Sequence, residues 1–149
     1  MSSDYRRCIV DIRSLPCAHR DPEPRREVRL PLSPATTGDA RFLVTHVIVP
    51  PRGISRGHVH DECEEIIYFP GPARVQLGEE VYDLAGESLV TAPRGVWHEC
   101  VNTSDSRELT LLCFFVPPFQ PFDVFVQLTE DTRRYLASQP PLPRPSPPL

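Results

Sequence analysis

The sequence predicts an all-β barrel of short antiparallel strands, and three observations carry the prediction. Short β-branched and aromatic runs recur at regular spacing, separated by turns rich in Gly, Pro, Asn and Asp, which is the pattern of a sandwich or barrel. Residues 42–49 are apolar on both alternating faces, so that strand must be covered on both sides. A helical pattern is confined to residues 129–138, where Glu130 and Arg134 stand four apart and can pair on one face.

In chain order, Ile9, Val10 and Ile12 within 8–13 suggest a short peripheral strand, suited to an edge or to contact with a second copy. Residues 15–26 are too rich in proline and charge to pack a core and are expected to form a loop carrying a solvated His19. Val28, Leu30 and Leu32 alternate with Arg29 and Pro31 over 27–32, which suits an edge strand that tolerates proline. A loop is expected over 33–39. In the strand that follows, Phe42, Val44, His46 and Ile48 share one face, and Leu43, Thr45, Val47 and Val49 share the other. His46 is therefore a buried histidine with three open roles: an acid/base beside a site, an extra ligand, or a hydrogen-bonded core residue.

After a turn at 50–53 comes the segment His58-Val59-His60-Asp61-Glu62-Cys63-Glu64-Glu65. Alternation in a strand would put His58 and His60 on one face, and Glu65 would return from a tight turn at 61–63 as a carboxylate partner. A hairpin is expected over 73–84 around Gly78-Glu79, then a strand at 88–92 and a Pro93-Arg94-Gly95 turn leading to His98. The run 108–116 closes the strand series before Pro117-Pro118, and 123–128 reads as a further strand or as an aromatic-rich loop over the barrel mouth. The expected organisation is one domain over 1–138, with its core at 41–118, and a proline-rich extended tail at 139–149.

Together, His-x-His-x4-Glu and Pro-x-Gly-x-x-His-x3-Asn resemble the two signature motifs of the cupin superfamily. That resemblance implies a double-stranded β-helix, a jelly-roll barrel here followed by a short C-terminal helix, with one divalent ion held by His58, His60, Glu65 and His98. Glu64 competes with Glu65. It restores the usual spacing to Gly71, whereas Glu65 has the family's strand phase in Glu-Ile-Ile-Tyr. One extra residue between Gly86 and Pro93 suggests a bulge there. By ligand type the site suits zinc, copper, iron or nickel, and the carboxylate extends the range to manganese.

A narrower resemblance rests on Val10-Asp11-Ile12-Arg13-Ser14-Leu15-Pro16, on the segment 30–38 and on the small size. These look similar to the cupin cyclases of bacterial aromatic polyketide pathways, the tetracenomycin and resistomycin type, which belong to antibiotic biosynthesis. The resemblance implies a zinc-dependent, cytoplasmic homodimer that folds a poly-β-keto chain, free or carried on a carrier protein, and promotes aldol-type ring closure. His46 would be its acid/base if it faced the cavity. Phe42, Val44, Ile67, Phe69, Trp97 and Phe114 are candidates for the cavity wall, and Arg52, Arg56 and Arg94 for contact with an acidic chain end. A dioxygenase or oxidase using a redox metal in the same ligands is the alternative, and a non-catalytic small-molecule-binding cupin the second.

Composition narrows the classes further. The 149 residues carry a formal charge of −4, which gives no basic excess for nucleic acid or anionic lipid. No apolar run approaches the roughly 20 residues of a membrane span, and the first residues lack a hydrophobic signal core, so a cytoplasmic protein is expected. All 16 basic residues are arginine, which removes Schiff-base and lysine-base chemistry. Five scattered cysteines argue for free thiols rather than a disulfide frame.

Overall fold

The computed structural model describes residues 8–38 and 41–140. Among these residues ten strands form two antiparallel sheets, followed by one long helix, the last described element. In chain order they are β1 Ala18–Arg20, β2 Arg26–Leu32, β3 Leu43–Val49, β4 Ile54–His58, β5 Glu64–Phe69, β6 Ala73–Leu77, β7 Glu80–Leu84, β8 Ser88–Ala92, β9 His98–Val101 and β10 Leu109–Val116. The one-turn helix α1 spans Pro34–Thr37, and α2 spans Val124–Ser138. The larger sheet has the order β1-β2-β3-β10-β5-β8 and the smaller one β4-β9-β6-β7.

Alternation explains the packing. β10 reads buried, intermediate, buried along its length, so Leu109, Leu111, Cys113 and Phe115 enter the core. They meet Val47, Val49, Ile67 and Phe69 from the neighbouring strands of the same sheet, and Ala73, Val75 and Cys100 from the facing sheet. β3 is buried at all seven positions, as its two apolar faces require, with β2 and β10 hydrogen-bonded on its two sides. Burying such side chains stabilises the fold by roughly 1.5–3 kcal/mol each.

Several expectations are corrected. The segment 8–13 forms no strand: Ile12–Ser14 is a 3-10 turn with no buried residue, and Ile9 is 65% exposed, because no described strand pairs with this stretch. Within the expected loop 15–26, Ala18–Arg20 pairs with β2, so β2 is not the edge strand. Pro31 is accommodated by a register shift between Arg29 and Leu32, where the β2–β3 ladder needs no donor from it. Inside 33–39, α1 is capped by Ser33, whose hydroxyl accepts from the Thr36 amide at 3.2 Å, and it ends on Gly38 at φ 79°.

No bulge lies between Gly86 and Pro93 within the β5–β8 ladder, which runs in unbroken register from Phe69 opposite Ser88 to Glu65 opposite Ala92. The C-terminal helix starts at Val124, so 123–128 is neither strand nor loop. Phe125, Leu128 and Thr132 form its buried stripe. The tail expected at 139–149 lies outside the described residues beyond Pro140.

Candidate metal centre

His58 is the last residue of β4 and stands opposite His98, the first residue of β9. Ser55 pairs with Cys100, both buried, so the register shift between Ser55 and His58 adds one residue to β4. Three residues apart, Ser55 and His58 would otherwise face opposite ways; the bulge turns both side chains inward. His60 lies past the end of the strand, in the connection to β5, rather than on the same strand as His58. Its carbonyl accepts from the Gly95 amide at 2.9 Å. Gly95 has φ 73°, which a side chain would resist, and this bond ties the second motif's turn to the first motif.

In β5 the burial pattern alternates from exposed Glu64 to buried Glu65, which is 5% exposed, and this selects Glu65 as the inward carboxylate. Four side chains converge there. Glu65 Oε2 lies 2.8 Å from His98 Nε2, 3.2 Å from His60 Nε2 and 3.9 Å from His58 Nε2. The Nε2 atoms of His58 and His60 are 3.0 Å apart, and the ligand atoms of all four residues fall within 4.8 Å of one another.

The tautomers are fixed from behind. His58 Nδ1 donates to the Arg56 carbonyl at 2.8 Å and His98 Nδ1 to the Val96 carbonyl at 3.0 Å, so both Nε2 atoms point at the centre, where a neutral ring would offer its lone pair to a bound ion. Burial pushes His58 down to about 4, against the pull of the Arg56 carbonyl and Glu65, which keeps it neutral as a ligand must be. Burial would raise the Glu65 carboxyl, but hydrogen bonds with His60 and His98 outweigh it and hold the group well below the usual carboxylate range. His98 is raised: burial works against its charge, and the bond to Glu65 overcomes that. Ligands about 2.1 Å from an ion stand about 3 Å apart at right angles. The observed separations fit one divalent ion, and they do not choose among metals.

Above this floor opens a cavity of about 230 Å³. Val28, Val47, Ile67, Val75 and Leu111 form its walls, and Cys100 and Cys113 also line it. Burial pushes the Cys100 thiol up to about 12 and Cys113 well above its ordinary value, so both stay protonated. An aromatic series runs from the ligands to the surface. The His60 ring meets Phe115 edge-on at 5.2 Å, Phe115 meets Phe119 at 4.8 Å, and Phe119 packs on Phe125 at 5.1 Å and Phe122 at 5.5 Å. Aromatic side chains therefore cover the mouth, delivered by the segment after β10 and the first turn of α2 rather than by a strand or loop at 123–128.

His46 is not among the residues that line the cavity. Thr45 and Val47 line the cavity, and alternation along β3 sends His46 to the opposite face, opposite Arg29 of β2 and Leu112 of β10. Its Nδ1 is buried without a hydrogen-bond partner. Burial, then the charges of Arg13 and Arg29, lower its pKa. Of the six wall candidates only Ile67 lines the cavity. Phe42, just before β3, and Phe114, on the outward side of β10, pack on each other at 6.2 Å, and Phe69 is fully buried core. Trp97 covers Gly57 so closely that an added Cβ there would sit 2.0 Å from the indole ring. Arg56 lines the cavity, whereas Arg52 pairs with Asp105 at 2.5 Å. Arg20, Asp21 and Arg26 also line it, from the stretch expected to be loop. A strand signal there was masked by proline and charge.

Residues 45–115 match the family model described as "Cupin domain". Among curated proteins none matches the chain in sequence. Solved structures share the fold. A predicted oxalate decarboxylase from Thermotoga maritima is 17% identical at TM-score 0.64, covering 73% of this chain and 98% of its own. TT1209 from Thermus thermophilus is 25% identical at TM-score 0.58, covering 74% and 98%. KdgF from a Halomonas species is 19% identical at TM-score 0.55, covering 67% and 86%. Two antiparallel sheets enclose the His58/His60/Glu65/His98 cluster, and residues 45–115, which hold all four of these residues, make up a cupin domain.

Proposed function

We propose that the protein is a metal-dependent enzyme, with zinc as the working choice of ion, that promotes redox-neutral aldol-type ring closure of a poly-β-keto chain. The observation that carries this reading is the placement of the four ligands at the floor of an aromatic-walled cavity, where one end of a flexible, flattening substrate can be held dry. The similarity of segments 10–16 and 30–38 to polyketide cyclases supports the substrate class. A divalent ion bound there supplies Lewis-acid polarisation of a substrate oxygen.

The chain's own residues do the rest. His58 and His98, held through Nδ1 by backbone carbonyls, keep their Nε2 atoms aimed at the point that Glu65 faces. Phe115, Phe119, Phe122 and Phe125 exclude water and favour a folded, planar conformer, which is the entropic part of bringing two carbons of one chain together. With His46 on the outer face of β3, no acid/base role is assigned to it.

A synthetic poly-β-keto thioester tests the proposal. Cyclised product should form under anaerobic conditions at the aerobic rate and disappear on chelation of the metal. Oxygen consumption coupled to turnover would instead establish the dioxygenase reading, and binding without turnover under either condition would leave a binding protein.

A further inference from the structure

In the β1–β2 ladder Arg20 stands directly opposite Arg26, and both line the cavity. Like charges facing each other across an antiparallel pair destabilise the ladder. Such a pair is rarely tolerated inside a protein unless anionic groups answer it. One answer is built in: Asp21 accepts from Arg26 Nε at 2.5 Å, with the side chains of Arg26 and Asp21 only 11% and 10% exposed. To make that bond Asp21 adopts φ 69°, a left-handed conformation uncommon outside glycine. Arg20 is answered more weakly, by Asp123 at 3.7 Å with that carboxylate 64% exposed, while its other side covers the Phe125 ring at 5.3 Å. Burial, and then the Arg26 charge, lower the Arg20 pKa.

The bond from Arg26 to Asp21 uses Nε, and no hydrogen bond from its two terminal nitrogens to a described residue accompanies it. A guanidinium presents its donors as a fork suited to a carboxylate or an enolate. We propose that Arg26, oriented by Asp21 and assisted by Arg20, forms an anion subsite in the cavity wall, and that the ligand is an apolar, flat acid whose carboxylate docks there while its ring or acyl body lies against the phenylalanines. The substrate class this names rests on the proposed metal-dependent reading of the same cavity, but the subsite itself does not need the ion.

The test uses 2-naphthoate and its neutral isostere 2-naphthamide as calorimetric probes, each against metal-loaded and metal-free protein. A charge-assisted hydrogen bond contributes roughly 1.5–3 kcal/mol, so the acid should bind about ten- to a hundredfold tighter than the amide in both forms. Arg26→Gln should abolish that preference while leaving the metal content unchanged, and Arg26→Lys should restore part of it. Should Arg26→Gln fail to fold because Asp21 is left as an unpaired buried charge, the Asp21→Asn/Arg26→Gln double variant removes both charges and should show the same lost preference. Equal binding of acid and amide by the wild type overturns the proposal. So does a preference that survives in either glutamine variant, or one confined to metal-loaded protein, which would place the carboxylate on the ion. A protein that takes up no metal yet shows the Arg26-dependent preference would sink the metal-dependent reading and leave the subsite standing.

Discussion

The inner and outer faces of the larger sheet look onto histidines in opposite electrostatic surroundings. On the inner side, His58, His60 and His98 surround one buried carboxylate, with the ring nitrogens of His58 and His98 oriented from behind by main-chain carbonyls. On the outer side of β3, His46 has no hydrogen-bond partner for Nδ1, and burial, then the charges of Arg13 and Arg29, act against its protonation more than Glu27 favours it. One environment gathers lone pairs around a point where a cation fits; the other repels a cation. Burial is similar for His98 and His46, at 4% and 6% exposed, so burial alone does not tell a ligand from a core histidine. What decides it is which groups face the ring.

The largest effect expected from breaking this contrast is at Glu65. Replacing it with leucine removes the carboxylate that three imidazoles surround, and metal uptake should fall below measurable occupancy, as read by equilibrium dialysis. Glu64→Gln, on the exposed neighbouring position, should leave uptake at wild-type level, so reversal of the two results would transfer the ligand role.

The inner cluster was legible because its signal is local. Two spaced motifs name the ligands, and the phase of β5 resolves Glu65 over Glu64 through burial alternation. The hairpin β6–β7 was equally plain, since Gly78 at φ 60° marks its turn. What the sequence hid depends on non-local pairing. Nothing in residues 54–58 announces the β4 bulge that turns His58 inward, since the bulge is defined by what β9 offers opposite. The face of β3 that looks into the cavity could not be chosen from a strand apolar on both faces, and so the role of His46 stayed open there. β1 was hidden for a similar reason: three residues next to charge and proline form a strand only because β2 lies beside them.

A second prediction concerns the shared scaffold behind both sides. Asn102 is 1% exposed, and its side-chain nitrogen donates to the carbonyls of Val49, Pro50 and Arg107 at 3.0, 3.0 and 2.8 Å, while its oxygen accepts from the Ser104 amide. Asn102→Ala leaves those buried carbonyls unpaired and should cost about 2–4 kcal/mol, read from urea unfolding of the metal-free protein. A loss under about 0.5 kcal/mol would show that water replaces the side chain there.

The smallest effect is expected on the outer side. A histidine whose folded pKa lies below its unfolded value of about 6.5 contributes full stability above that pH and loses it as pH falls toward the folded pKa. In metal-free protein, His46→Gln should flatten the decline of the melting temperature below about pH 6.5 and leave the value at about pH 8 little changed. A variant whose acid decline matches the wild type would place that sensitivity elsewhere.

The central claim is that His58, His60, Glu65 and His98 hold one ion and that His46 does not take part. Elemental analysis of protein reconstituted with a divalent metal and then desalted tests it most directly, comparing wild type, His60→Ala and His46→Gln. The account predicts one equivalent per chain in the wild type and in His46→Gln, and a sharp fall in His60→Ala. A full equivalent retained by His60→Ala, or none taken up by the wild type, would contradict it.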